Sequence, residues 1–267
     1  MNVNIHKPNS VPESLSIREQ IEIRLREIEE RCGVTVLHAV ESGSRAWGFA
    51  SPDSDYDVRF IYMRKKEDYL RLEEVPDHID WELNEVLDIN GWDIRKVLRL
   101  FYKSNATLFE WANSPIVYRT TPLWQKIYEA AQICFSQKSV MYHYYGTARS
   151  NYQAHLLEEQ VKYKKYFYVL RPLLCCQWIE NHSCPPPVLF DEMKDRLEDR
   201  ELKEQIESLL KKKVTMSEGD RAPRIGWMNA YIEQQLEYYS QKIEGMSEDR
   251  IGDWTLLDQL FVSILDG

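Results

Sequence analysis

No run in this chain approaches the roughly 18–20 consecutive apolar residues of a membrane-spanning helix, so no membrane partner is expected. The first residues, MNVNIHKPNSVPESLS, lack the apolar centre of a secretory signal, and the expected location is cytoplasmic. Positive charge is also short: 34 Lys and Arg against 43 Asp and Glu leave a net charge of −9. A surface that coats nucleic acid needs excess cations to neutralise phosphates, so long duplex DNA is not an expected partner. A local basic groove for one nucleotide or an RNA end remains compatible with that balance. Cysteine is limited to five residues, an odd number, with no Cys-x-x-Cys spacing. Cys32, Cys134, Cys175, Cys176 and Cys184 therefore predict neither a zinc centre nor a disulfide framework, and Cys175-Cys176 read as thiols in a helix core.

Several catalytic signatures are missing as well. There is no Walker loop and no Rossmann glycine fingerprint. The Gly-x-Ser-x-Gly elbow of a Ser-His-Asp hydrolase is absent. Of the six histidines, His38 falls in an apolar strand, while His143, His155 and His182 sit on predicted helices at unrelated spacings. What is present suits a packed globular protein: 43% hydrophobic and 12% aromatic residues over 267 positions. A chain of this length buries roughly 70–75% of its unfolded surface and is long enough for two domains.

The pattern along the chain divides it. Ser16 and Glu19 make a capping box, and Ile17, Ile21, Leu25 and Ile28 follow at helical spacing up to Gly33. Residues 34–40 form a β-branched run and read as a strand; 51–54 read as a loop. From Tyr56, Val58, Phe60 and Tyr62 alternate on one face. Residues 65–72 predict a short helix and 79–89 one or two strands. Beyond Asp93, placed as a helix cap, the period becomes helical. Asn105 caps a further helix, and others are expected over 123–135, 140–158, 160–181, 191–211, 227–243 and 254–265. Breaks fall at Pro185-Pro186-Pro187 and over 217–220. The predicted organisation is an α/β (α+β) domain over 1–135, followed by an α-helical domain over 136–267.

The chemistry concentrates in the stretch ESGSRAWGFASPDSDYDVRFIYM, where Gly43-Ser44 is followed after ten residues by Asp55-Tyr56-Asp57. Side chains alternate along a strand, so Asp55 and Asp57 are expected on one face, close enough to share a divalent cation. Hard cations such as Mg²⁺ or Mn²⁺ take oxygen ligands and complete their shell with water and substrate phosphates. The Gly-Ser turn adds small residues and backbone N–H groups that let a phosphate approach. Ser44 is placed to hydrogen-bond a phosphate oxygen. Arg45 could bind a triphosphate in bidentate fashion or make a surface ion pair. A carboxylate pair beside a phosphate-cradling turn is equipment for nucleotidyl transfer. Lys164, Tyr168 and Arg171 recur at i, i+4 and i+7 on one predicted helix face, with Lys165 adjacent. Arg95 and Lys96, and Arg221 and Arg224, are secondary basic candidates.

The pattern of apolar strand, Gly-Ser, about ten residues and Asp-x-Asp resembles the signature of the DNA polymerase beta superfamily of nucleotidyltransferases. The longer run is similar to a YcgL-like bacterial group within it, some of whose members are linked to RNA repair. Asn90-Gly91-Trp92-Asp93-Ile94-Arg95-Lys96, Lys103-Ser104-Asn105 with Glu110-Trp111, and the segment from Lys164 to Pro172 resemble that group too. The resemblance implies a catalytic domain with a small mixed sheet, an NTP substrate, a divalent metal and a hydroxyl acceptor, with an RNA 3′ end favoured. It also implies a third metal carboxylate on a neighbouring strand. Asp88 is the preferred candidate and Asp93 the runner-up; Asp80 and Glu82 lie on another predicted strand and are outsiders. By the same resemblance, Lys164 or Lys165 would bind phosphate and Tyr168 would pack near the base or sugar. A protein or small-molecule acceptor, or a non-catalytic nucleotide-binding or antitoxin-like partner, is the alternative.

Overall fold

The computed structural model describes residues 14–51, 54–84, 86–215 and 220–266. The first thirteen residues, Pro52 and Asp53 of the expected loop, and residues 217–219 of the break expected over 217–220 lie outside these. The chain divides into two compact units, one of residues 1–134 and 251–267, the other of 135–250.

The first unit opens with α1 (Ile17–Cys32) and β1 (Val34–Glu41). Ser16 and Glu19 form the reciprocal capping box, and Gly33, at φ +63°, closes the helix in the left-handed conformation. A single helical turn, α2 (Gly43–Ala46), leads to β2 (Tyr56–Arg64). After α3 (Lys66–Tyr69) come β3 (His78–Leu83) and β4 (Leu87–Asp93). Then follow α4 (Ile94–Tyr102), α5 (Ala106–Ala112), β5 (Val117–Thr120) and α6 (Pro122–Ala131). The sheet runs β3-β4-β2-β1-β5; only β2 and β4 are parallel, so it is mixed. Alternation sorts its side chains. Val58, Phe60 and Tyr62, with Leu87 and Ile89, pack against Ile21, Leu25 and Ile28 of α1. The other face carries Asp57, Arg59, Asp88 and Asn90, and Trp92, whose ring lies 4.2 Å from that of Trp111.

The second unit contains α7 (Gln137–His155), β6 (Gln160–Val161), α8 (Lys164–His182) and α9 (Phe190–Lys194). It continues with α10 (Arg200–Thr215), β7 (Ala222–Pro223) and α11 (Gly226–Glu244). Its core lies along α7, α8 and α11, with Tyr166, Phe167, Tyr239 and Ile179 buried. Two helix expectations are corrected here. The helix over 160–181 begins only at Lys164, because Val161 pairs in a ribbon with Ala222. The helix over 191–211 is split, since Asp199 caps a new start by accepting the Leu202 N–H at 3.0 Å.

The final helix, α12 (Thr255–Asp266), belongs to the first unit rather than to the helical half expected over 136–267. Aromatic packing explains its return: Trp254 stacks on Tyr102 at 3.6 Å and Phe261 meets Tyr69 edge-on at 5.3 Å. Among the described residues, no helix is long and apolar enough to cross a membrane.

Candidate active site

The site is assembled where β1 ends. Glu41, 1% exposed, accepts the Asp57 N–H at 2.8 Å through Oε1 and the Tyr118 hydroxyl through Oε2. Burial raises its carboxyl above the usual range, against the lowering effect of those two bonds. One residue on, the Ser42 N–H donates to the Asp57 carbonyl at 2.8 Å. The chain then turns at Gly43, whose φ of +62° lies in the left-handed region. A Cβ at Gly43 would stand 2.2 Å from Asp57 Oδ2 and 3.1 Å from Cγ. Glycine is therefore favoured twice, by backbone conformation and by the carboxylate seated against it. The Gly-Ser segment forms the helical turn α2, whose first N–H groups have no acceptor within the helix by construction.

Asp57 sits in β2 directly beside Asp88 in β4, in parallel register. Both carboxylates emerge from the same face, and Arg59, two residues after Asp57, emerges there too. Arg59 Nη2 donates to Asp57 Oδ1 at 3.0 Å and to Asp88 Oδ2 at 2.7 Å. Its Nη1 donates to the backbone carbonyls of Val58 at 3.1 Å and Asp88 at 3.0 Å. Asn90 Nδ2 reaches Asp88 Oδ1 at 3.5 Å. Burial holds the Asp57 carboxyl above its usual range; Arg59 pulls it back, while Asp88 and Asp55 push it up further.

The remaining sequence candidates are distributed unevenly. Asp55 is exposed and lies one residue ahead of β2, so the strand itself presents only Asp57 of the pair. Arg45 is committed to the loop that carries Asp55: it donates to the carbonyls of Ser54 at 2.6 Å and Asp55 at 3.0 Å and lies 3.7 Å over the Tyr56 ring. Ser44 is half-buried on α2. Asp93 is turned away from Asp88, on the buried face of β4; it accepts the Arg95 N–H at 2.8 Å and the Tyr69 hydroxyl at 3.0 Å. Glu82 pairs with Arg24 at 2.7 Å and Lys96 with Asp77 at 3.1 Å. Lys164, Lys165, Tyr168 and Arg171 lie on α8 of the second unit, with the Lys165 ammonium 5.1 Å over the Tyr168 ring. Arg171, at the i+7 position of that helix, is buried and donates to the Val188 carbonyl at 3.4 Å. Arg221 pairs with Glu158 at 2.7 Å.

Sequence reasoning missed Glu41 and Arg59. The signal for Arg59 was available, since Asp57-x-Arg59 in an alternating strand puts both on one face. Glu41 offered only its position at the end of an apolar run.

Asp57 and Asp88 supply hard carboxylate oxygens in the number Mg²⁺ usually takes from protein, with water and phosphate completing the shell. The repulsion of Asp57 by Asp88 and Asp55 marks a place where added positive charge is favoured. The donor chemistry thus fits a divalent cation. Among the described residues, however, no three His, Cys, Asp or Glu side chains converge as a closed cage. Asp55 stands outside the strand, and the space between Asp57 and Asp88 is bridged by Arg59.

This chain is 40% identical over 252 residues to the uncharacterized protein YcgL of Bacillus subtilis (strain 168), covering 94% of this chain and 97% of that one. A solved nucleotidyltransferase-like protein from Exiguobacterium sibiricum 255-15 aligns over 91% of this chain and 88% of its own, with 13% identity and a TM-score of 0.31. The sequence model of the RlaP family spans residues 17–263. The chain belongs to the RNA repair pathway DNA polymerase beta family, RlaP.

Proposed function

We propose that this protein is a template-independent nucleotidyltransferase that moves an NMP from an NTP to a hydroxyl acceptor, with an RNA 3′ end favoured. One observation carries the reading: Asp57 and Asp88 stand side by side on one sheet face, with Gly43 of the Gly-Ser turn packed against the Asp57 carboxylate. Ser44 and the backbone N–H groups of α2 would orient the triphosphate. Asp55, Asp57 and Asp88 would hold Mg²⁺ or Mn²⁺, which neutralises phosphate charge and lowers the pKa of an attacking hydroxyl. The hydroxyl oxygen forms a bond to the α-phosphorus as the bond to pyrophosphate breaks, and the hydroxyl proton passes to a carboxylate or water. Positioning and charge neutralisation then supply most of the catalysis. Lys164 or Lys165 would bind phosphate and Tyr168 would pack near base or sugar; the burial of Arg171 argues for a structural role. Glu41 fixes the turn that carries Gly43 by holding the Asp57 backbone.

The test is label transfer. The protein is incubated with each α-labelled NTP and Mg²⁺ or Mn²⁺, with cellular RNA, protein or small-molecule extract as acceptor. Label should enter the RNA pool, and Asp57→Asn or Asp88→Asn should lower the rate by about a hundredfold or more. Label in protein or small molecules would move the acceptor class. No label anywhere, with NTP binding intact, would leave a nucleotide-binding partner protein; no NTP binding at all would remove the reading.

A further inference from the structure

Arg59 supplies positive charge to the two carboxylates from within the chain. We propose that Arg59 is the resident cation of this cluster and competes with the divalent metal for Asp57 and Asp88, so that the site binds metal weakly until a triphosphate adds negative charge. The inference rests on the metal-dependent reading above. The atoms in competition are explicit: Arg59 Nη2 takes both Asp57 Oδ1 and Asp88 Oδ2. A guanidinium stays charged at every accessible pH, so the competition is not relieved by deprotonation. Nor does the side chain leave easily, because Nη1 is anchored to the carbonyls of Val58 and Asp88. The Arg59 side chain is only 15% exposed, so its charge is poorly screened by solvent.

A metal ion entering alone must therefore take oxygens from Arg59 while sitting close to a fixed like charge. An ion arriving with triphosphate brings negative charge that offsets the guanidinium. Arg59 acts here as a positioning residue. It keeps two adjacent carboxylates in register and lets them be claimed when nucleotide is present.

The experiment is Mn²⁺ titration of the nucleotide-free full-length protein, read by electron paramagnetic resonance, for wild type, Arg59→Gln, Arg59→Met and Asp57→Asn. Loss of a purely structural ion pair would leave Mn²⁺ affinity unchanged or weaken it. Removal of a competing cation should tighten it, by at least about tenfold for a unit charge within a few ångströms of the ion. Equal or weaker binding by both folded Arg59 variants, with Asp57→Asn abolishing binding, would overturn the competition and leave the metal site standing. If wild type and both Arg59 variants fail to bind Mn²⁺ even at millimolar concentration, the metal-dependent reading itself falls, and this inference with it. Should both Arg59 variants fold only when Mn²⁺ is added, the ion has replaced the guanidinium as proposed. Variants that Mn²⁺ cannot restore would overturn the proposal.

Discussion

Gly43 answers to two constraints, and a methyl group is penalised by both. The left-handed backbone costs an ordinary residue about 1–2 kcal/mol, and the added Cβ would meet Asp57 Oδ2 at 2.2 Å. Gly43→Ala should therefore destabilise the protein by about 1–3 kcal/mol and turn the Asp57 carboxylate away, losing most transfer activity. Urea denaturation and label transfer measure the two effects; an unchanged variant would show that the turn relaxes freely. His38 is a different residue-scale device. Its ring stacks on Trp124 at 4.9 Å, with Nδ1 3.1 Å from Thr120 Oγ1 and Nε2 3.3 Å from the Trp111 carbonyl. Burial lowers its pKa to about 4. A depressed folded pKa means that His38 does not diminish stability above its unfolded pKa. As pH falls from about 6.5 towards 4 the unfolded chain gains a proton that the fold refuses, at a cost of roughly 3 kcal/mol. His38→Gln should flatten this acid limb of the stability–pH profile, whatever its effect at neutral pH. A parallel slope in wild type and variant would sink the assignment.

At the scale of elements, the helix starts are set by local chemistry. The Ser16 capping box on α1 predicts that Ser16→Ala costs about 1 kcal/mol, checked by thermal unfolding. Asp93 does comparable work for α4 from the buried side of β4, and it also receives the Tyr69 hydroxyl. Asp93→Ala should thus cost about 1–3 kcal/mol of stability yet leave Mn²⁺ affinity within a factor of two or so of wild type. Asp88→Asn should do the reverse. These two variants separate the proposed third metal carboxylate from its runner-up, and strong Mn²⁺ loss in Asp93→Ala would exchange their roles. The capping residues, the alternation of β2 and the Gly-Ser spacing were all legible in the sequence, because each depends on neighbours a few residues apart. The interruptions at 162–163 and 195–199 were not. One arises from the pairing of Val161 with Ala222, far along the chain.

For the whole molecule, the decisive feature is the path of the chain, which leaves the first unit after Cys134 and re-enters it at Ile251. Helix α12 buries Leu257 and Ile264 on return, and each fully buried side chain of this size contributes roughly 1.5–3 kcal/mol. Truncation after Arg250 should lower hydrogen-exchange protection of the strands β1 to β5 while leaving α7, α8 and α11 protected. Equal loss in both units would mean that they unfold together. The acidic balance of −9 also makes a prediction for any RNA acceptor: binding should depend on few phosphate contacts and show a shallow salt slope.

By itself, the sequence determined that a Gly-Ser turn precedes an alternating strand with a carboxylate, that helices begin at Ser16, Asp93 and Asn105, and that the core is apolar and needs no disulfide. Each follows from local backbone preference, hydrogen-bonding reach or side-chain period. Only the tertiary structure decided which distant carboxylate stands beside Asp57, because that depends on the parallel register of β2 with β4. It likewise set Arg59, which the strand period already puts on the Asp57 face, against Asp88, and brought Glu41 to the Asp57 N–H. It also returned α12 to the first unit. These are long-range pairings whose energies come from packing and charge across the fold, and no local period encodes them.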